Sequence, residues 1–131
     1  MNTSEFRIGN IVNEGIVVEI KHNYLRVKYQ LDNRDKISLI EDAEINPEIL
    51  TDEWFVRFGF KIKETPNGQK FVEFGRVRLY LGREDRNYLP LHFVVDDGWC
   101  PAMGVAIKYV HQLQNLYYSF EEKELIAEPT R

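Results

Sequence analysis

Cys100, His111 and the Asp96-Asp97 pair are the side chains in this sequence whose types suit covalent chemistry: a thiol nucleophile, its base and an orienting carboxylate. Their spacing matches no nucleophile motif. Cys100 next to Trp99 has the setting of a small apolar filler, and Asp96-Asp97-Gly98 has the composition of a turn, so catalysis is not expected. The three histidines, His22, His92 and His111, are scattered, and the single cysteine has neither a disulfide partner nor a second cysteine at a zinc spacing. Neither a metal nor any other cofactor is expected. Phosphate loops, HExxH, dinucleotide fingerprints and EF-hand loops are missing from the sequence.

Two other groups of residues suit binding rather than reaction. In the stretch IKYVHQLQNLYY, residues 107–118, helical spacing puts Ala106, Tyr109/Val110, Leu113, Leu116/Tyr117 and Phe120 on a core side, with Ile107, His111, Gln114, Asn115 and Tyr118 on the adjoining flank. A solvated flank usually carries Glu and Lys. Amides there either hydrogen-bond the backbone of a sheet packed beneath or form a recognition face for a partner, joined by Trp99 from the loop 96–104. The second group is Arg76, Arg78 and Tyr80, which strand alternation puts on one face opposite Val77, Leu79 and Leu81. Basic side chains around an aromatic ring suit single-stranded nucleic acid. Glu73, Glu84 and Asp85 dilute that patch, and a net charge of −4 opposes attraction to phosphate.

The elements that must hold these residues follow from periodicity. Ile16, Val18 and Ile20, then Leu25, Val27, Tyr29 and Leu31, alternate as two strands around a His22-Asn23 turn. That turn places Ile20 opposite Leu25, Val18 opposite Val27, Ile16 opposite Tyr29 and, on the other face, Glu19 opposite Arg26. A strand from Ile8 to Val12 and another over 36–40 complete a small curled sheet or barrel over about residues 5–45. Thr51 as N-cap, Asp52 and Glu53 in the first turn and Gly59 as the stop predict a short helix over 52–58, with Leu50 and Phe55 as its hydrophobic staple. FKIKE, KFVEF, RVRLYL and YLPLHFVV predict a second antiparallel meander over 60–95, Pro90 marking an edge or a late start. A C-terminal amphipathic helix follows over about 105–121. The whole is expected to be one α+β domain, residues 1–131, since no linker or repeat offers a boundary.

RIGNIV near the N-terminus, LTDEWFVRFGF in the middle and IKYVHQLQNLYYSF followed by EEKEL together resemble a family of small uncharacterised proteins of Bacteroidetes bacteria, their phages and integrated elements. The resemblance implies a phage or mobile-element setting and carries no catalytic residue. RIGNIVNEGIVVEIKHNYLRVKY is also similar to the opening of a small SH3-like barrel of the KOW or Tudor kind. No run approaches the roughly 20 apolar residues of a spanning helix and the N-terminus lacks a signal-peptide pattern, so a cytoplasmic protein away from membranes is expected. The expected function is non-catalytic binding or adaptor work through protein contacts, with an unknown protein partner or a homo-oligomer. The alternatives are a small nucleic-acid-binding barrel and a phage accessory or counter-defence protein that binds a small ligand.

Overall fold

Two strand-forming runs, GIVVEI and YLRVKYQL, meet at His22-Asn23 and set the pairing of the first half of the chain. A computed structural model describes residues 3–81, 91–95, 98–101 and 107–127, giving the strand backbone alone for 91–95 and 98–101. Strands β1 (Ile11–Val12), β2 (Gly15–Ile20), β3 (Tyr24–Leu31) and β4 (Arg34–Glu41) form one antiparallel sheet in sequence order. Helix α1 (Asp52–Arg57) precedes β5 (Lys63–Glu64), β6 (Lys70–Phe74), β7 (Val77–Tyr80), β8 (Leu91–Val95) and β9 (Gly98–Pro101), a second antiparallel sheet in sequence order. Helix α2 (Val110–Glu121) closes the list, and the chain is α+β as its periodicities require. It gathers into two compact units, Met1–Ile49 with Tyr109–Asn115 and Leu50–Lys108 with Leu116–Arg131.

In the first unit Ile20 pairs with Leu25 and Glu19 with Arg26, but the ladder then shifts so that Val17, not Val18, meets Val27 and Ile16 meets Lys28. Val18 is the extra residue of a β-bulge. Because strand side chains alternate, one inserted residue turns the rest of the strand over. Val17 is therefore buried beside Leu25, Val27 and Ile40, while Ile16 and Val18 are exposed, which corrects the alternation expected for β2. Gly15 permits the tight approach of β2 to β3: its φ is +150°, and a Cβ there would overlap the carbonyl of Lys28. The first strand is shorter than Ile8 to Val12, and Ile8 stands in solvent. Strand β4 is longer than 36–40 because Asp32 and Asn33, both at positive φ (54° and 61°), close a two-residue turn directly after Leu31.

The second unit opens on α1, whose N-cap position is Thr51 as expected, although its side chain makes no capping bond. The end is tightly made. Phe60 N–H donates to Phe55 O at 2.9 Å and Gly59 N–H to Val56 O at 3.0 Å, a Schellman pair with Gly59 at φ +87°. Buried Phe55 meets Phe60 edge-on at 5.9 Å, and Phe60, Phe74 and Tyr117 form an aromatic cluster with ring centroids 5.2–5.8 Å apart. Of FKIKE only Lys63–Glu64 pairs as a strand. Val77, Leu79 and Leu81 are buried and Arg76, Arg78 and Tyr80 face outward, as strand alternation predicts. The stretch 96–104 is not wholly loop: Gly98–Pro101 forms β9 and pairs with β8 from His92 to Val95. Pro90, Asp96 and Asp97 lie outside the described residues. Helix α2 begins at Val110 rather than near 105.

Among the described residues no helix is long and apolar enough to cross a membrane.

Candidate functional site

The amide-rich start of α2 is built into the first unit. Val110 and Leu113 are fully buried, and so are His111 and Gln114 on the next positions round the helix. Gln114 closes the loop before β1: its Oε1 accepts from Ile11 N–H at 2.8 Å and its Nε2 donates to Gly9 O at 3.1 Å. Asn115 Oδ1 accepts from Asn10 Nδ2 at 2.9 Å and Arg7 Nη1 at 3.1 Å, while its Nδ2 donates to Glu5 O at 3.1 Å. Asn10, itself buried, accepts Arg7 N–H at 2.6 Å. The amides thus satisfy backbone groups that an N-terminal segment without long strands would leave bare. His111 and Gln114 leave the recognition face suggested by helical spacing, because both are withdrawn from solvent.

His111 lies against the Phe6 ring, centroids 4.3 Å apart, and parallel to Tyr109 at 5.8 Å. Neither ring nitrogen has a hydrogen-bond partner among the described residues, and burial lowers its pKa to about 4. A base that exchanges protons with a thiol needs an open path to it. His111 is withdrawn from solvent, and Asp96 and the side chain of Cys100 lie outside the described residues. Trp99 sits in β9 opposite Val94, its side chain likewise undescribed, and Tyr118 is exposed. Among the described residues no cluster of His, Cys, Asp or Glu could hold a metal ion.

The arginine strand is engaged within its own sheet. Arg78 pairs with the Glu73 carboxylate, donates to Tyr80 Oη at 3.2 Å and lies 4.1 Å over the Phe71 ring. Burial alone would raise the Glu73 pKa, but the Arg78 hydrogen bonds and charge, with Lys63, hold it below its ordinary value. Arg78 is thereby committed to a carboxylate before any phosphate arrives. Arg76 stands exposed in the turn after Gly75.

The surface that spacing did not reveal is the outward face of the four-stranded sheet. Cross-strand pairing puts Ile16, Lys28 and Ile37 in one row and Glu19, Arg26 and Leu39 in the next, on the face opposite Leu25 and Val27. Ile16 is 48% exposed, Leu39 48% and Ile37 63%. The cations between them are answered locally: Arg26 binds Glu19 at 2.8 Å and Lys28 binds Asp35 at 3.4 Å. Past the end of β2 the hairpin β3–β4 continues alone, and there Tyr29 and Leu31 on the inner face are exposed as well. An open groove of about 660 Å³ runs beside this region, lined by Ile8, Ile16, Val18 and Tyr29 with Glu14 and Lys28. Glu14 uses Oε1 to accept Asn46 N–H and Nδ2–H at 3.2 and 3.1 Å, and its buried Oε2 has no partner among the described residues. One signal for this face was in the sequence. Asp32-Asn33 as a two-residue turn sets Leu25 opposite Ile40, which sends Ile37 and Leu39 outward; the bulge at Val18 left no comparable mark.

No family model, curated protein or solved structure matches the chain, which leaves its function to be argued from these residues.

Proposed function

We propose that the chain is a non-catalytic protein-binding module that contacts its partner through the outward face of the N-terminal sheet. One observation carries this: Ile16, Ile37 and Leu39, all large and apolar, stand exposed on that face in adjoining rows of one four-stranded sheet. Scattered apolar side chains on a surface are ordinary, but a grouped patch rimmed by polar residues marks a contact site. The charges set between these side chains are ion pairs that already neutralise Arg26 and Lys28, which favours a protein surface over a phosphate backbone.

The test is affinity capture from a Bacteroidetes lysate, the source to which the resemblance points, with and without nuclease. Ile16→Asp with Leu39→Asp is expected to reduce the captured protein at least tenfold while the melting temperature stays near that of the wild type, and nuclease is expected to leave capture intact. Capture that survives both aspartates, or that disappears with nuclease, sinks the reading. Arg76→Ala serves as the control and is expected to change nothing.

A further inference from the structure

The two edges of the N-terminal sheet are finished differently. At β1, Val12 bridges to Pro47 and Asn13 N–H donates to Asn46 O at 3.0 Å, so that edge is capped by the chain itself. Among the described residues no bridge caps β4, an eight-residue edge. The phase of its hydrogen bonds follows from the Asp32-Asn33 turn, which makes Leu31 and Arg34 a hydrogen-bonded pair. Asp42 N–H donating to Asn23 O at 3.0 Å agrees with that phase at the other end. It follows that Asp35, Ile37, Leu39 and Glu41 aim their backbone N–H and C=O groups away from β3. The middle of the strand, ISLI, carries neither charge nor proline, the usual devices that blunt an edge.

We infer that β4 pairs antiparallel with β4 of a second copy of this chain, joining two four-stranded sheets into one. This rests on the protein-contact reading of the outward face and names the partner. Only outward-aimed residues can bond across the new seam, and one register pairs all of them: Asp35 with the copy's Glu41 and Ile37 with the copy's Leu39, each twice by symmetry. Exposed Ile37 and Leu39 from both copies then cover one another around the two-fold axis. The same register lays the tip of each hairpin, exposed on both faces where β2 has ended, along the root of the other sheet, where a two-stranded ribbon gains the third strand that stabilises it. Arg34 comes opposite the copy's Asp42, an attraction. Asp35 comes opposite the copy's Glu41, a repulsion tempered by the Lys28 partner of Asp35. The two-fold axis passes between the two Ser38 residues, which form a pair without mutual backbone hydrogen bonds and so have closely spaced side chains.

The experiment is sedimentation and light scattering of the full chain over rising concentration, with three variants. The wild type is expected to double in apparent mass, Ile37→Lys to remain a monomer with unchanged circular dichroism, and Glu41→Lys to dimerise at least several-fold more tightly, because the repelling pair becomes attractive. Ser38→Cys in a Cys100→Ser background is expected to cross-link under mild oxidation, whereas Lys36→Cys in the same background is not. A wild type that stays monomeric at every concentration overturns the inference, as does a dimer indifferent to Ile37→Lys and Glu41→Lys. Binding of an unrelated extended peptide by such a monomer would also overturn it. The protein-contact reading fails separately: a monomer that still captures a protein through Ile16 and Leu39 leaves that reading standing.

Discussion

His111 and Gln114 stand on the same helix and are equally hidden, yet their chemistry differs. Gln114 makes one hydrogen bond as acceptor and one as donor to the N-terminal backbone, so Gln114→Ala leaves Ile11 N–H and Gly9 O unmatched in a buried place. A loss of about 1–3 kcal/mol is expected by urea denaturation, the usual cost of a buried group left unsatisfied. His111 keeps both nitrogens bare and stays neutral, with a pKa near 4 against 6.5 for the free side chain. Between those values the unfolded chain binds the proton and the folded chain does not, so stability falls as pH drops from about 6.5 towards 4. The slope from this group is at most about 1.4 kcal/mol per pH unit. His111→Phe keeps the ring against Phe6 and removes the titration. The difference between wild type and variant in unfolding free energy is expected to widen steadily below pH 6.5; parallel pH profiles would show that His111 is not held neutral. The types and spacing of these residues were legible in the sequence, but not which way the flank faced, because an amide serves a sheet backbone and a partner equally well.

At the scale of elements, what could be read depended on whether the deciding event was local. Helix α1 was legible to within a residue, since its acidic first turn and glycine stop both lie within ten positions of Leu50. The bulge at Val18 was not, because a bulge is a matter of pairing between strands, and the close backbone approach in this part of the ladder, Gly15 against Lys28, joins residues thirteen apart in sequence. Two glycines separate these cases experimentally. Around Gly59 there is open space, so Gly59→Ala costs only the strain of φ +87° on an L-residue, about 1 kcal/mol. Gly15→Ala meets the Lys28 backbone carbonyl, which cannot move without breaking the β2–β3 ladder, and is expected to cost considerably more than Gly59→Ala. Thermal melts of the two variants compare the costs directly; equal losses would mean that β2 can slide off β3 without penalty.

The whole molecule does not follow the order of its sequence. Its first compact unit ends at Ile49 and is completed by Tyr109–Asn115, so composition offered no boundary: the segment that finishes the N-terminal sheet lies on the far side of another unit's residues. Tyr109 bridges to Ile49, Val110 N–H donates to Glu48 O at 2.8 Å, and Val110, Leu113, His111 and Gln114 are all fully buried. Burying a valine and a leucine contributes roughly 1.5–3 kcal/mol each. Added to the Gln114 bonds, that is comparable to the 5–15 kcal/mol on which a whole domain ordinarily stands. A chain cut after Lys108 is therefore expected to lose the cooperative fold of its N-terminal sheet, with the amides of Val17, Leu25 and Val27 exchanging hydrogen as in an unfolded chain. Supplying residues 109–121 as a separate peptide is expected to restore their protection in proportion to peptide concentration. If the shortened chain protects those amides as well as the full one, the sheet is self-sufficient, and the RIGNIV and HQLQN blocks are joined for some reason other than folding.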